Sequence, residues 1–445
     1  MNMNTPKSTL KKIGILSWIL VLSIGFLGIS MGMNVRDAEG AYVVKYTDLL
    51  ADFKESVPPE KIAEKYADHV SDDSMVSLQP VPLQFSIKGQ MIANTASTPS
   101  VLVSLCSINK LEENLDEALS EVVSEVDFSF SVEKRDGRRY NYNRGTSTLQ
   151  TSYESASTSK LVSAVIILRL VEQGSLNLSD RPQDHIAGWP IGNGDSLYNM
   201  TLAQLLSFTS GLETEPFCIN AGFSNFATCV SNIADANTGN GITPGQRFYY
   251  VGTHLQVAGL MTIKARGVAG WQDIFSEFKA QTGLFPTATY DLPSSTNPRL
   301  AGGMHWTGEE YMDFLKALSN GALLNSGSMK QLLSDHAASV IIASSPTVTG
   351  LGEDWHYGFG LWHECQNTVF NCTPGTRVSS PGAYGAYPFW DLSKGYFGDY
   401  FGIVARQGSL GTFPNGVAIE RSVRSKVERW VGGLPLQREV SHGFL

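Results

Sequence analysis

The 445-residue sequence has little charge and no basic excess. Charged residues are 17% of it, with 33 Lys and Arg against 42 Asp and Glu, a formal net charge of -9. No dense Lys/Arg patch offsets that balance, which argues against a nucleic-acid partner. Cys-x-x-Cys and His-rich metal spacings are absent, so neither a metal site nor a cofactor is expected. Low-complexity tracts are missing too, and the 42% hydrophobic share is ordinary for a globular chain. The length exceeds one typical domain, so one large two-lobed unit or two domains are expected.

One long apolar run stands near the N-terminus. Lys7, Lys11 and Lys12 precede an uncharged stretch from Ile13 to Met33, the pattern of an export signal. Residues 1–40 are read as a signal peptide or membrane anchor. A weak small-residue cleavage site lies at Ala38-Glu39-Gly40, but the length of the run favours an uncleaved anchor. The rest is then periplasmic or extracellular. Five cysteines fit that compartment. Cys218 with Cys229, and Cys365 with Cys372, are each close enough in sequence to close a short loop, leaving Cys106 over. Buried free thiols are the alternative.

Residues 41–107 read as a lead-in, with one or two helices over 46–66 around Pro58-Pro59 and a Pro/Ser/Thr-rich loop over 79–100. A main body is expected over 108–435, followed by a short tail, 436–445. It opens with a helix over 111–123, on the apolar spacing of Leu111, Leu115, Ala118, Leu119 and Val122. Phe128–Val132 alternates as a half-buried strand, Asp136-Gly137 turns, and 138–143 returns as its partner. From about 177 to 345 helices and loops dominate, including a capped helix over 201–211 and helices over 255–266 and 308–318. After Tyr357 the texture changes to strands, over 383–391 and 397–405, and a last amphipathic helix covers 419–431. Strands at both ends of a helical insertion predict an α/β fold of the α+β kind. It would have one antiparallel sheet flanked by helices, plus an all-helical lobe.

The most hydrophobic helix of this body, over 161–171, follows the polar segment Glu154-Ser155-Ala156-Ser157-Thr158-Ser159-Lys160. Ser157 and Lys160 share one helix face. A desolvated, neutral lysine can take the serine proton, so the pair is a candidate nucleophile and base. Spacing alone is a poor signal, because Ser8/Lys11, Ser107/Lys110, Ser131/Lys134 and Ser276/Lys279 repeat it. Only Ser157 has a polar lead-in followed by a buried helix.

The order of later motifs resembles the serine β-lactamase-related superfamily: class C β-lactamases, DD-peptidases and family VIII carboxylesterases. Ser157-Thr-Ser-Lys160 stands at the nucleophile motif. The segments Thr201–Leu212, Pro244-Gly-Gln-Arg-Phe-Tyr-Tyr250, Arg299-Leu-Ala-Gly-Gly303, Tyr357-Gly-Phe-Gly360 and Ser380-Pro-Gly-Ala-Tyr-Gly385 follow in the family's sequence. The resemblance implies that Ser157 forms an acyl-enzyme and that Lys160 is the base or proton shuttle. Tyr250 would be the phenol that helps move the proton. It also implies an oxyanion hole from the N–H groups of Ser157 and Ala383, with Ser380, Gly382 and Gly252 beside the substrate.

Two departures bear on substrate. The second motif, normally Tyr-x-Asn, reads Tyr250-Val251-Gly252 and loses an amide donor. The third motif has Ser380 in place of a cation or imidazole, followed by Pro381, a residue expected only on an edge strand or bulge. Loss of that cation weakens recognition of the carboxylate that penicillins and D-alanyl peptides carry. Arg406 is either its replacement or a solvated strand-end residue. The aromatic neighbourhood of Trp355, Trp362, Tyr384, Phe389 and Trp390 suggests an uncharged or hydrophobic acyl group. The reading is an exported serine hydrolase acting on a small-molecule ester or amide. A β-lactamase or D-alanyl peptidase is the alternative within the same chemistry, and a non-catalytic binding protein on a degraded scaffold is the alternative outside it.

Overall fold

The computed structural model describes residues 31–37, 40–45, 75–80, 99–392 and 399–432. The chain divides into two units, residues 1–105 and 106–445. In the first, strands β1 (Met31–Asp37), β2 (Gly40–Lys45) and β3 (Met75–Pro80) form an antiparallel sheet in the order β2-β1-β3. The expected helices over 46–66 and most of the apolar run over 13–33 lie outside the described residues. The last residues of that run, Met31–Met33, begin β1 rather than continue a helix. Among the described residues no helix is long and apolar enough to cross a membrane.

Helix α1 (Pro99–Ser120) starts earlier than its apolar spacing predicts and stops before Val123, which is almost fully exposed. β4 (Ser129–Lys134) and β5 (Arg139–Asn143) follow as a hairpin whose turn is set by Gly137 at φ 90°. β4 is buried on both faces, not half-buried. Phe130 packs on Phe389, while the alternate face carries Ser129, Ser131 and Glu133. That polar face is satisfied internally: Ser129 pairs with Ser147, Ser131 donates to Asn141, and Lys316 reaches Glu133 at 2.6 Å. Alternation therefore marks two buried faces of different polarity.

The remaining elements of the sheets are β6 (Ser152–Glu154), β7 (Arg247–Tyr249), β8 (Thr289–Tyr290), β9 (Met304–Thr307), β10 (Ile341–Ser344), β11 (His356–Tyr357), β12 (Trp362–His363), β13 (Arg377–Ser379), β14 (Tyr387–Asp391) and β15 (Tyr400–Ala405). The main sheet is antiparallel throughout, in the order β11-β12-β13-β14-β15-β4-β5. Two small sheets, β6-β9-β8 and the parallel pair β10-β7, lie outside it.

Helices α2 (Ser159–Glu172), α3 (Leu202–Leu206), α4 (Phe226–Asn237), α5 (Thr253–Arg266), α6 (Trp271–Thr282), α7 (Gly308–Ser319) and α8 (Phe413–Gly432) complete the framework. α7 and α8 both pack on β15, so the sheet is flanked by helices as the sequence predicts. All of α2 is buried except Arg169, Val171 and Glu172, which accounts for its nearly unbroken apolar run. α3 is capped by Thr201, whose hydroxyl accepts from the Gln204 N–H, but it ends at Leu206, short of Gly211. Phe208 takes φ 60° and Gly211 φ 85°, so the chain turns back before the glycine. The bridges Cys218–Cys229 and Cys365–Cys372 are both formed.

Candidate active site

Ser157 sits in a single 3-10 turn, Ala156–Thr158, that leads directly into α2. Ala156 has φ 45°, a left-handed conformation rare for a residue with a side chain, and it tips the turn towards the cleft. The neighbours hold that conformation by hydrogen bonds. Trp306 Nε1 donates to Thr158 Oγ1 at 2.8 Å, Tyr311 donates to the Thr158 carbonyl at 2.9 Å, and the Met304 N–H donates to Ser159 Oγ at 3.2 Å.

Lys160 points back across the first turn of α2. Its Nζ donates to Ser157 Oγ at 2.8 Å and to the Ala301 carbonyl at 2.7 Å. The amine also lies 4.6 Å from the centre of the Tyr250 ring. Only 5% of Lys160 is exposed, and burial brings its pKa down to about 7. Glu215 opposes that shift and Arg299 adds to it. Near neutral pH the amine is therefore close to half neutral.

Tyr250 follows β7, and its N–H donates to the Ser344 carbonyl at 3.1 Å. Its ring is enclosed by Phe208, Phe248, Tyr357 and Trp362, at 5.0 Å for the last. Burial pushes the phenol up to about 12, while hydrogen bonds with Ser157 and Trp362 pull the other way. Tyr250 is thus a neutral phenol at working pH that touches the Ser157 hydroxyl. Behind it, His254 is buried, with Nδ1 2.7 Å from Ser210 Oγ and Nε2 3.0 Å from the Tyr249 carbonyl. A carbonyl only accepts, so Nε2 carries the proton. Burial drops this imidazole to about 3, leaving it a neutral support for the Tyr249–Tyr250 backbone.

The cleft above Ser157 has a volume of about 170 Å3. Ser157, Lys160, Gly252 and Ala383 line it, joined by Glu215, Arg299 and Tyr384, which the sequence reading did not place together. Ser380 and Gly382 stand behind the nucleophile rather than in the cleft. The Ser380 hydroxyl donates to the Gly360 and Ser157 carbonyls at 3.1 and 3.4 Å. A Cβ on Gly382 would come 2.4 Å from the Ser155 carbonyl oxygen, so this glycine allows close packing against the nucleophile turn.

Three expectations about the third motif and its surroundings need correction. Ser380–Gly385 is not on an edge strand, since it connects β13 and β14 inside the seven-stranded sheet. Pro381 is tolerated because the pairing uses alternate residues: the Ser380 N–H donates to Pro388 and the Gly382 N–H to Ala386. Arg406 is neither a cleft cation nor solvated. It is fully buried, pairs with Glu125 and donates to the Tyr384 carbonyl at 3.2 Å. Of the five aromatics, only Tyr384 lines the cleft. Trp362 braces Tyr250, and Trp355, Phe389 and Trp390 are core.

Residues 133–404, more than half of the chain, match the family model Beta-lactamase, so this protein belongs to the beta-lactamase family. Among curated relatives, penicillin-binding protein 4 of Amycolatopsis lactamdurans is 27% identical over 135 residues, covering 29% of this chain and 34% of that protein. Protein flp of Staphylococcus aureus (strain MW2) is 28% identical over 113 residues, 25% of this chain and 22% of that protein. The matched stretch thus spans about a third or less of these relatives. A putative beta-lactamase from Bacteroides dorei DSM 17855 superposes with a TM-score of 0.58 at 25% identity, over 72% of this chain and 99% of that one. EstCE1, described as a hydrolase with promiscuous acyltransferase activity, shares the fold with a TM-score of 0.56 at 15% identity, over the same shares of the two chains. The expected family and fold are thereby established.

Proposed function

We propose that this chain is a serine hydrolase that forms an acyl-enzyme on Ser157 and hydrolyses an ester or small amide. The observation that carries the reading is the 2.8 Å contact between Ser157 Oγ and a buried Lys160 amine whose pKa is brought down to about 7. In its neutral form that amine has a lone pair for the serine proton. Ser157 Oγ attacks the acyl carbonyl as its proton passes to Lys160, directly or through the Tyr250 hydroxyl. The carbonyl oxygen takes negative charge and is received by the N–H groups of Ser157 and Ala383. Collapse of the tetrahedral intermediate breaks the bond to the leaving alcohol or amine, which receives the proton. Water then repeats the sequence at the acyl-enzyme, returning Ser157 and releasing the acid.

The two disulfides, the basic N-terminus and its apolar run support export to the periplasm or cell exterior, with anchoring through residues 13–33. Within the same chemistry, Arg299 favours a second reading. It brings a cation into the cleft despite the altered third motif, as a β-lactam or D-alanyl carboxylate requires. Residues 41–445 should hydrolyse p-nitrophenyl acetate and butyrate, and Ser157→Ala should abolish turnover. Mass spectrometry after fluorophosphonate treatment should place the label on Ser157. Unchanged turnover in the variant, or a label elsewhere, rules the reading out. Stable labelling of Ser157 by benzylpenicillin would favour the second reading over a simple esterase.

A further inference from the structure

The missing asparagine of the second motif leaves a space, and a carboxylate fills it. Glu215 Oε2 accepts from the Gly252 N–H at 2.8 Å, and a Cβ on residue 252 would lie 2.9 Å from that oxygen. Glu215 in this position and an asparagine at 252 would compete for one volume. Glycine at 252 is what lets the carboxylate in.

Glu215 is held there by a short segment. Phe217–Asn220 forms a 3-10 turn tied to α4 through Cys218–Cys229, and Ile219 from the same turn lines the cleft. Asn220 stands between two opposite charges. Its Oδ1 accepts from Arg299 Nη1 at 2.8 Å, and its Nδ2 lies 3.5 Å from Glu215 Oε1. Among the described residues no ion pair consumes Glu215, and Arg299 Nε is buried without a hydrogen-bond partner. Glu215 therefore faces the cleft as a negatively charged hydrogen-bond acceptor, where an asparagine would have presented an amide donor. The ligand group that suits it is a donor, and a cation suits it best.

We propose that Glu215 is a specificity-determining residue that selects substrates whose acyl part carries a free amine a few bonds from the reacting carbonyl. This rests on the hydrolase reading of Ser157 and adds a substrate class to it. The ammonium hydrogen-bonds the Glu215 carboxylate, and the intervening methylenes lie along Ile219 and Leu410. Glu215 is exposed to solvent, so water and salt screen the contact and hold its effect to about fivefold.

The test compares the p-nitrophenyl esters of β-alanine and N-acetyl-β-alanine, equal in leaving group and different in charge. At pH 7.5 and low salt the wild-type protein is expected to favour the free amine by about fivefold in kcat/KM, a preference that weakens in high salt. In Glu215→Gln the ratio should fall to about one. Fluorophosphonate labelling of Ser157 in the variant shows that the fold and nucleophile persist. A wild-type ratio near one, or a ratio that survives in Glu215→Gln, overturns the inference while leaving the hydrolase reading intact. A labelled Ser157 with no turnover of either ester also overturns it. An unlabelled Ser157 with no turnover defeats the hydrolase reading instead.

Discussion

The acid limb of the pH–rate profile is the most direct consequence of a buried Lys160. In water a lysine titrates near 10.5, and here burial brings the amine to about 7. The gap sets the magnitude: at pH 7 roughly half of Lys160 is neutral, against roughly one in 3,000 for an unperturbed lysine. With the neutral amine as base, kcat/KM for p-nitrophenyl acetate should rise about eightfold from pH 5.5 to 6.5 and level off above pH 8. Tyr250, pushed up to about 12, contributes no limb in this range. The neighbouring charges give the sign test. Arg299 lowers the lysine, so Arg299→Gln should move the limb to higher pH. Glu215 raises it, so Glu215→Gln should move the limb to lower pH. Solvent at the cleft mouth limits each displacement to roughly a few tenths of a pH unit. The assay is initial rate against pH after subtraction of spontaneous hydrolysis, with Lys160→Met as the inactive control. A limb near pH 9 or above, or variants that move it in the opposite directions, would refute Lys160 as the base.

Trp362→Phe keeps a ring against Tyr250 but deletes the N–H partner of its hydroxyl, so kcat should fall about tenfold with little change in KM, measured on p-nitrophenyl butyrate. Cys229→Ser opens the Cys218–Cys229 loop, separated by 11 positions, and should cost about 3 kcal/mol in urea unfolding. The same variant should raise KM, because the tied turn carries Ile219 to the cleft and Asn220 to Arg299 and Glu215. Arg377 is buried between Glu364, Asp391 and Glu420, joining the sheet to α8. Arg377→Met leaves buried carboxylates without their cation and should cost about 3–5 kcal/mol in the same experiment, with Ser157 still labelled in the folded fraction.

Much of this architecture was legible in the order of elements, because apolar periodicity reports burial directly. The α2 run, the β4–β5 hairpin and the cap at Thr201 needed only local physics. The misses arose where tertiary packing decides the outcome. Alternation in β4 suggested one wet face, yet the polar face lies beneath α7 and is satisfied by Lys316 and Asn141. Gly211 looked like a helix stop, but the left-handed residue that turns the chain is Phe208, which no propensity favours. Pro381 read as an edge residue because a sequence does not show which N–H groups a hairpin register leaves unused. Glu215 and Arg299 could not be placed beside Ser157 from spacing, as they come from segments 58 and 142 positions away in the chain. One signal did exist: a glycine in the asparagine's position announces a space, and a space beside a reactive pair invites a neighbour.

That neighbour changes how the altered motifs weigh against catalysis. Loss of the asparagine and of the third-motif cation, taken alone, fits a scaffold that has decayed into a binding module. A partner for Lys160 and a cation are nevertheless both present in the cleft. The Ala301 carbonyl steadies Lys160 at 2.7 Å, and Arg299 supplies a cation from the same segment. Glu215 occupies the vacated volume with the opposite polarity. Keeping an amine buried, with its pKa drawn down to about 7, is also a burden on folding. Between about pH 7 and 10.5 the unfolded chain holds a lysine proton that the folded chain has released, so stability falls as pH drops through that window. A binding module gains nothing from that burden, and Met in place of Lys160 would remove it. A hydrolase needs it, because the same burial makes the amine a base at neutral pH.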